Sequence, residues 1–404
     1  MFDLKSFIEK NKAFVFLLGV ALAIWLGIIF SEKSTHVDER THNRQIHRFL
    51  DGKFEILPDL TTIPGYHVTI ASFAKLTGAV SLQGMRLLSL GLALFSIGIF
   101  FLIARQLKAE NPLVKTIQFI FLPLSFVYFP LLYTDIFSLL WVLLAFYFSL
   151  KKRYWSAAIF SLISLLVRQT NIVWILFFWV YIYLAENDWT FSSKKLLIHL
   201  RQTVGFVVVF AIGAFFLWLN KGIAFGDKEM QQIGLYRGNL YFLLVVAGLL
   251  FWPTILFNFR SNYLAFKNKK FLFFSLGVGI VLALSFVFFT PKLHEYNFLK
   301  TKFLKNDLLC LAYSKYVWAY AGAILLGYLT LVQIKLEKKM ALFYAFVVLS
   351  LVPSMFIDER YYIIPLVFVL LFRKEFEPKK EYLLVFYFLF FSIGYSILLF
   401  RFGF

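Results

Sequence analysis

Residues 13–45 read AFVFLLGVALAIWLGIIF and then SEKSTHVDERTHNRQ. The first eighteen residues contain no charge and no proline. As a helix rising 1.5 Å per residue they would cover about 27 Å, close to the thickness of a bilayer's hydrocarbon layer. The next fifteen carry six charged residues and two histidines. An apolar span that ends in a reactive polar loop predicts a helical membrane protein with chemistry at one membrane face.

The same pattern recurs along the chain. Of 404 residues 61% are hydrophobic, and the mean hydropathy is +0.77, well above soluble-protein composition. Apolar runs fall near 13–30, 85–104, 113–131, 136–150, 154–167, 171–185, 203–219, 239–257, 271–290, 316–332, 341–356, 361–372 and 382–400. They are continuously apolar rather than alternating, which excludes a transmembrane β-barrel. The expectation is an all-α polytopic bundle of about 13 spans, with residues 1–404 forming one integral membrane domain. The first run has a basic flank and no small-residue cleavage site after it, so it reads as a retained helix. The single cysteine, Cys310, excludes an internal disulfide.

The net charge is +19, but the cations sit in short loops between spans, so no nucleic-acid partner is expected. With the N-terminus cytoplasmic, 23 of the 41 Lys and Arg fall on cytoplasmic segments, as the positive-inside rule requires. Loop 291–315 dissents, being outside yet lysine-rich. In this orientation the unusual polar residues collect at the outer ends of spans. Residues 32–84 then form a first extracytoplasmic loop, and 64–80 within it an amphipathic helix at the interface, opened by Pro64.

Several outer residues have the chemistry of a site. Asp38 and Glu39 are either solvated charges or a general base for a sugar hydroxyl, and His42 follows Asp38 by one helical turn. No known metal spacing is met, and neither metal nor cofactor is expected. Asp135, in Tyr133-Thr134-Asp135, is either a functional carboxylate at membrane depth or a helix cap. Arg168, in Arg168-Gln169-Thr170-Asn171, is either a phosphate ligand or the ion-pair partner of Asp135. Gly226-Asp227-Lys228, His294-Glu295 and Asp358-Glu359-Arg360-Tyr361 complete the outer set. There is no Walker or dinucleotide motif, and an outward site meets no cytosolic nucleotide sugars. If the site transfers sugars, an activated donor on a lipid carrier is the natural supply.

These residues follow a known order. Val37-Asp38-Glu39-Arg40-Thr41-His42-Asn43-Arg44-Gln45, Leu60-Thr61-Thr62-Ile63-Pro64-Gly65-Tyr66, Leu131-Leu132-Tyr133-Thr134-Asp135, Val167-Arg168-Gln169-Thr170-Asn171-Ile172-Val173-Trp174, Gly226-Asp227-Lys228 and Glu359-Arg360-Tyr361-Tyr362-Ile363-Ile364-Pro365 resemble the motifs of the dolichyl-phosphate-glucose-dependent α-1,2-glucosyltransferases. That family's Asn-Arg-His-Tyr stretch is replaced here by Lys292-Leu293-His294-Glu295-Tyr296.

The resemblance implies a GT-C-type fold and inverting transfer of a glycosyl residue, glucose in the family. The donor would be a polyprenyl- or dolichyl-phosphate sugar and the acceptor a lipid-linked glycan, at the extracytoplasmic or luminal face. The membrane would be the cytoplasmic membrane of a prokaryote or the endoplasmic reticulum of a eukaryote. On this basis Asp38 and Glu39 are the catalytic candidates. His42, Gln45, Thr61, Thr62, Tyr66 and Asp135 are candidates for the acceptor. Arg168, Gln169, Asn171, Asp227, Lys228, His294, Arg360 and Tyr361 are candidates for the donor phosphate. The alternative is a transporter or flippase of lipid-linked saccharides.

Overall fold

The computed structural model describes residues 9, 11–226, 228, 234–257, 269–298, 304–336 and 342–402. Among them there is no β-strand, only an isolated bridge between Leu336 and Arg373, so the all-helical expectation holds. Two compact units divide the chain, Met1–Lys228 and Glu229–Phe404.

In the first unit α1 (Lys12–Ser31) is the opening apolar run. Its Trp25 is fully buried, donates from Nε1 to the Phe126 carbonyl (2.9 Å) and stacks on Phe129. The polar stretch then folds as α2 (Val37–Leu50) behind a capping box, in which the Glu39 carboxylate accepts from the His36 N–H. Glu39, His42, Gln45 and Ile46 form its buried stripe, with Arg40, Arg44 and His47 on the exposed side, as helical spacing dictates. The amphipathic segment is helical from Gly65 to Thr77 (α3), with Pro64 at its N-cap and Gly78 ending it at φ +73°. A left-handed residue there suits glycine.

α4 (Leu82–Gln106) is a long apolar helix capped by Ser81. The run near 113–131 is not one span: α5 (Pro112–Ile120) stops, and α6 (Pro123–Phe126) restarts after a break. Proline lacks the N–H and disfavours helical backbone in the residue before it, and Leu122 is accordingly extended. α7 (Thr134–Leu150), α8 (Tyr154–Val167), a 3-10 turn (Gln169–Asn171), α9 (Ile172–Glu186), α10 (Ser193–Gln202) and α11 (Val204–Asn220) complete the unit. A core of Ile46, Tyr66, Ile70, Ala71, Ala74, Met85, Leu132, Phe137 and Val167 joins α2, α3, α4, α7 and α8.

The second unit comprises α12 (Gly238–Phe251), α13 (Pro253–Phe257), α14 (Lys269–Phe288), α15 (Leu304–Ser314), α16 (Val317–Gln333), α17 (Leu342–Leu351), α18 (Ile363–Phe372) and α19 (Pro378–Phe402). α12 and α16 approach closely where Gly248 faces Gly327, small residues letting the backbones meet. Arg373 and Glu381 form a buried bidentate pair (2.7 and 2.5 Å), and Glu381 also accepts from Phe376 N–H.

Among the described residues, α1, α4 and α19 are long and apolar enough to cross a membrane. Two bent pairs, α10–α11 (83°) and α15–α16 (110°), raise the number to five. α7, α8, α12 and α17 are apolar but shorter. The chain is an integral membrane protein.

α3 is seated by a close approach. A Cβ built on Gly65 would collide with the backbone carbonyl of Leu166, whereas Gly19 has open space around it. Gly65→Ala should cost about 1–3 kcal/mol through forced backbone displacement. Thermal unfolding of the purified protein in detergent checks this, with Gly19→Ala as a control that leaves the midpoint no lower.

Candidate active site

The polar residues of the first unit meet because the ends of five helices meet. The start of α2 is held by Arg86, the fifth residue of α4. Its guanidinium donates from Nε (2.8 Å) and Nη2 (2.6 Å) to the two oxygens of Glu39, and from Nη1 and Nη2 to the carbonyls of Glu32 (2.5 Å) and Ser34 (2.9 Å). Glu39 also accepts from Leu132 N–H (2.9 Å) and His36 N–H (3.0 Å). Both side chains are fully buried. Four hydrogen bonds, two of them from the Arg86 guanidinium and two from backbone N–H groups, occupy the carboxylate. Glu39 is an anchor, with no lone pair left to act as a base. Asp38, its neighbour, is half-buried at the second position of α2, one turn before His42.

His42 and His67 face each other across α2 and α3, Nδ1 to Nε2 at 2.8 Å, both buried. The rings of Tyr66 and Tyr133 stand edge-on to His42. Tyr66 is itself fully buried, its hydroxyl 3.0 Å from Ser89 Oγ. Burial, with smaller contributions from Glu39 and Asp135, raises its phenol above the ordinary value despite the Ser89 bond.

The next helix ends bring in Asp135 and Arg168, which form an ion pair. Asp135 is in the first turn of α7 and Arg168 caps α8. Asp135 Oδ2 is buried with no partner, and so is Thr62 Oγ1. The Arg168 side chain keeps 15% of its surface exposed. Gln169 clips the loop carrying Thr61 and Thr62: its Nε2 donates to the carbonyls of Thr61 (2.7 Å) and Ile223 (2.8 Å), and its Oε1 accepts from Ile63 N–H (3.3 Å). Gly226 N–H donates to the Leu60 carbonyl (2.8 Å), and a Cβ at Gly226 would strike the Leu60 carbonyl. Lys228 donates to the Asn220 carbonyl (2.5 Å). Asp227 lies outside the described residues.

Other candidates prove to be fasteners. Gln45 binds the loop at Glu55 and Leu57, and Asn171 ties Ser138 to the Ser164 carbonyl. The resemblance suggested the acceptor for Gln45 and the donor phosphate for Gln169 and Asn171. In the structure their amides hydrogen-bond protein groups. In the second unit Arg360 binds Asp358 through Nε (3.0 Å) and Nη2 (2.7 Å), next to a half-buried Tyr361. His294 stacks on Tyr296 (5.2 Å) and accepts from its N–H. No group of three or more metal-ligating side chains occurs among the described residues.

Sequence reasoning missed Arg86 and His67. Arg86 carried a signal: it is an arginine near the start of an apolar span, where an ion is costly without a partner. His67 gave none, being one polar residue among several on an amphipathic helix.

An all-helical membrane protein with ionised and imidazole side chains gathered at helix ends defines the class. Within it, this chain belongs to the DIE2/ALG10 family, whose sequence signature matches residues 32–195 and 182–371. It is 24% identical to the Dol-P-Glc:Glc(2)Man(9)GlcNAc(2)-PP-Dol alpha-1,2-glucosyltransferase of Debaryomyces hansenii, over 89% of this chain and 87% of that protein. The proteins of the same name from Mus musculus (24%; 82% of each) and Candida albicans (24%; 90% and 89%) are similarly related. No solved structure matches the chain.

Two outcomes follow from this geometry. Arg86→Met strands a buried carboxylate and should cost about 3–5 kcal/mol. Adding Glu39→Gln should recover part of that, read as the unfolding midpoint in detergent. The second concerns pH. Burial lowers the affinity of His36 for a proton, against Glu39 and Glu32, and lowers that of His67 further, aided by His42. Both rings are therefore neutral when folded, and the unfolded chain protonates first, near the ordinary 6.5. Their stabilisation is complete above that value and is lost as pH falls below it towards the lowered folded values. The midpoint should drop between pH 7 and 5, and His67→Gln should drop less.

Proposed function

We propose that residues 1–404 act as a single integral membrane glycosyltransferase of GT-C type with about thirteen spans, some of them broken or bent. It transfers glucose from a dolichyl- or polyprenyl-phosphate carrier to a lipid-linked glycan at the extracytoplasmic or luminal face. The observation that carries this reading is the family match from residue 32 to 371, which includes the whole cluster from Asp38 to Lys228. The relatives' names are those of transferases using dolichyl-phosphate glucose, which favours transfer over carriage of the donor.

In this reading an acceptor hydroxyl oxygen attacks the anomeric carbon of a β-linked donor. The bond from that carbon to the phosphate oxygen breaks, with the electron pair leaving on the lipid phosphate. An α-1,2 linkage forms with inversion. Asp38 takes the hydroxyl proton. Glu39 does not touch substrate; through Arg86 it fixes the turn of helix that carries Asp38. His42, Thr62 Oγ1 and Asp135 Oδ2 line the acceptor side, and Thr61 contributes from the same loop. Gln45, Tyr66, Gln169 and Asn171 shape the walls. Arg168, oriented by Asp135, and Lys228 meet the developing phosphate charge with fixed donors, and Asp227 adjoins them in sequence. His294, Arg360 and Tyr361 are candidates for the donor phosphate by the family resemblance alone. An anionic monophosphate met by cations needs no metal or cofactor. Membrane lipid surrounds the spans.

Transfer from radiolabelled glucosyl-phosphoryl-polyprenol by the purified protein, with a mixed glycan-lipid acceptor pool, tests the proposal. Label should reach the acceptor with release of free lipid phosphate, and Asp38→Asn should lower turnover about 10²- to 10⁴-fold. Near-normal turnover by folded Asp38→Asn would remove the base assignment. Movement of intact donor across a vesicle membrane without transfer would replace the reading with a flippase.

A further inference from the structure

Three helices of the first unit run from the candidate site to a common far end. α8 ends at Val167, before Arg168, and α9 begins at Ile172 after the 3-10 turn. α11 ends at Asn220, beside the loop whose Phe225 and Gly226 N–H groups donate to Thr61 and Leu60. At the other end the hydroxyl of Tyr154, the first residue of α8, hydrogen-bonds Glu186, the last of α9. α10 lies there, joined to the start of α11 at an angle of 83°. α11 has 17 residues, about 25 Å at 1.5 Å per residue, close to the thickness of a hydrocarbon layer. It exposes the apolar side chains of Val208, Phe215, Trp218 and Leu219. With α11 across the bilayer, α10 lies close to the membrane plane at the face opposite the candidate site.

α10 is fastened to α9 on one side. His199, its buried residue, has Nε2 3.2 Å from the Trp179 carbonyl, and Trp179 Nε1 donates to Thr203 Oγ1 (2.9 Å). The Tyr183 hydroxyl donates to the Ser192 carbonyl (3.0 Å) and accepts from Ser192 N–H (2.8 Å). The other side exposes Lys194, Leu197, Ile198 and Arg201, whose i, i+3, i+4, i+7 spacing puts them on one face. Lys195 adjoins them. Exposed Lys151, Lys152 and Arg153 precede α8 at the same end, with Lys152 3.4 Å from Glu186. Glu186 and Asp188 are the acids beside this cluster. We propose that α10 is an interfacial helix whose outer face binds anionic phospholipid. Leu197 and Ile198 enter the acyl boundary while the cations reach the headgroups. Headgroup phosphates accept from Lys194, Lys195 and the planar fork of Arg201. A soluble acidic partner would match the cations and leave the aliphatic pair between them without a counterpart. In the orientation expected from the charge bias this face is cytoplasmic, where anionic lipids concentrate. The proposal goes beyond the transfer reading and does not depend on it.

Amide hydrogen exchange of α10 in the full chain, held in lipid nanodiscs, tests this. Discs of phosphatidylcholine are compared with discs containing about 30% phosphatidylserine, an anionic surface of physiological kind. Exchange in α10 should be about tenfold slower in the anionic discs, and high salt should remove the difference. The combined variant Lys194→Gln, Lys195→Gln, Arg201→Gln should abolish it, with the unfolding midpoint in detergent unchanged because these side chains are exposed. Lys194→Arg with Lys195→Arg, which keeps the charge, should retain it. Equal exchange of the native protein in the two kinds of disc overturns the proposal. So does slowing that survives high salt or that the folded glutamine variant retains, since the lipid contact is then not made by these cations. Inorganic phosphate that slows exchange equally in phosphatidylcholine discs overturns it as well, by making the face an anion site that needs no lipid. The salt comparison uses the native protein alone and stands even where the variant does not fold. No transfer activity is read, so failure of the transfer reading leaves the outcome intact.

Discussion

The contact between Arg86 and Glu39 governs the first unit. An ion pair removed from water is stabilising only when its remaining hydrogen-bonding capacity is filled. Here the protein fills it with main-chain groups from three places: Glu32 and Ser34 before α2, His36 at its cap, and Leu132 in the stretch that leads into α7. One buried pair therefore fixes the exit of α1, the entry of α2, the N-terminal part of α4 and the approach to α7. Those are the elements that carry Asp38, His42 and Asp135. Were the pair absent, the same groups would need water at the edge of an apolar core, and the helix ends would have no reason to stay together.

The rest of the cluster follows the same economy. A membrane protein's irregular segments must satisfy their backbone groups inside the protein, and side-chain amides perform that task repeatedly. Gln45 takes the loop at 55–57, Gln169 the loop at 61–63 together with Ile223, and Asn171 the end of α8. In the second unit Asn239 donates to the carbonyls of Ser354 and Phe356, and Asn297 pairs with both backbone groups of Ile357. Asp135 Oδ2 and Thr62 Oγ1 are among the buried side-chain atoms that this economy leaves without a protein partner, and in the proposed reading a ligand's hydroxyls would complete them.

What the sequence showed and what it hid follow from the range of the forces involved. Helix positions were legible because apolar periodicity and length are local: α1, α4, α7, α8 and α19 lie where the runs of residues place them. The break at Leu122–Pro123 was legible in principle, since proline acts on its immediate neighbours. The pairing of Asp135 with Arg168 was open on sequence alone, with a phosphate ligand as the alternative. Seeing the pair required knowing that the start of α7 and the end of α8 adjoin. Arg86 and His67 were not identified for the same reason. Each has its meaning only through a partner, Glu39 or His42, that is 47 or 25 residues away.

Asp38 and Glu39 make the point within one dipeptide. Both are carboxylates in the first turn of α2, where the helix dipole favours negative charge, and sequence alone treats them alike. Successive residues on a helix point about 100° apart, so only one of the two can enter the buried stripe. Glu39 does, and its four hydrogen bonds tie its charge to the fold. Asp38 is half-buried, and in the proposed reading it is the carboxylate that meets substrate. A carboxylate that must both stay ionised for the core and accept a proton during reaction would serve neither purpose. Under the proposed mechanism the tasks are divided between adjacent residues, with the fixed Glu39 setting the position of Asp38.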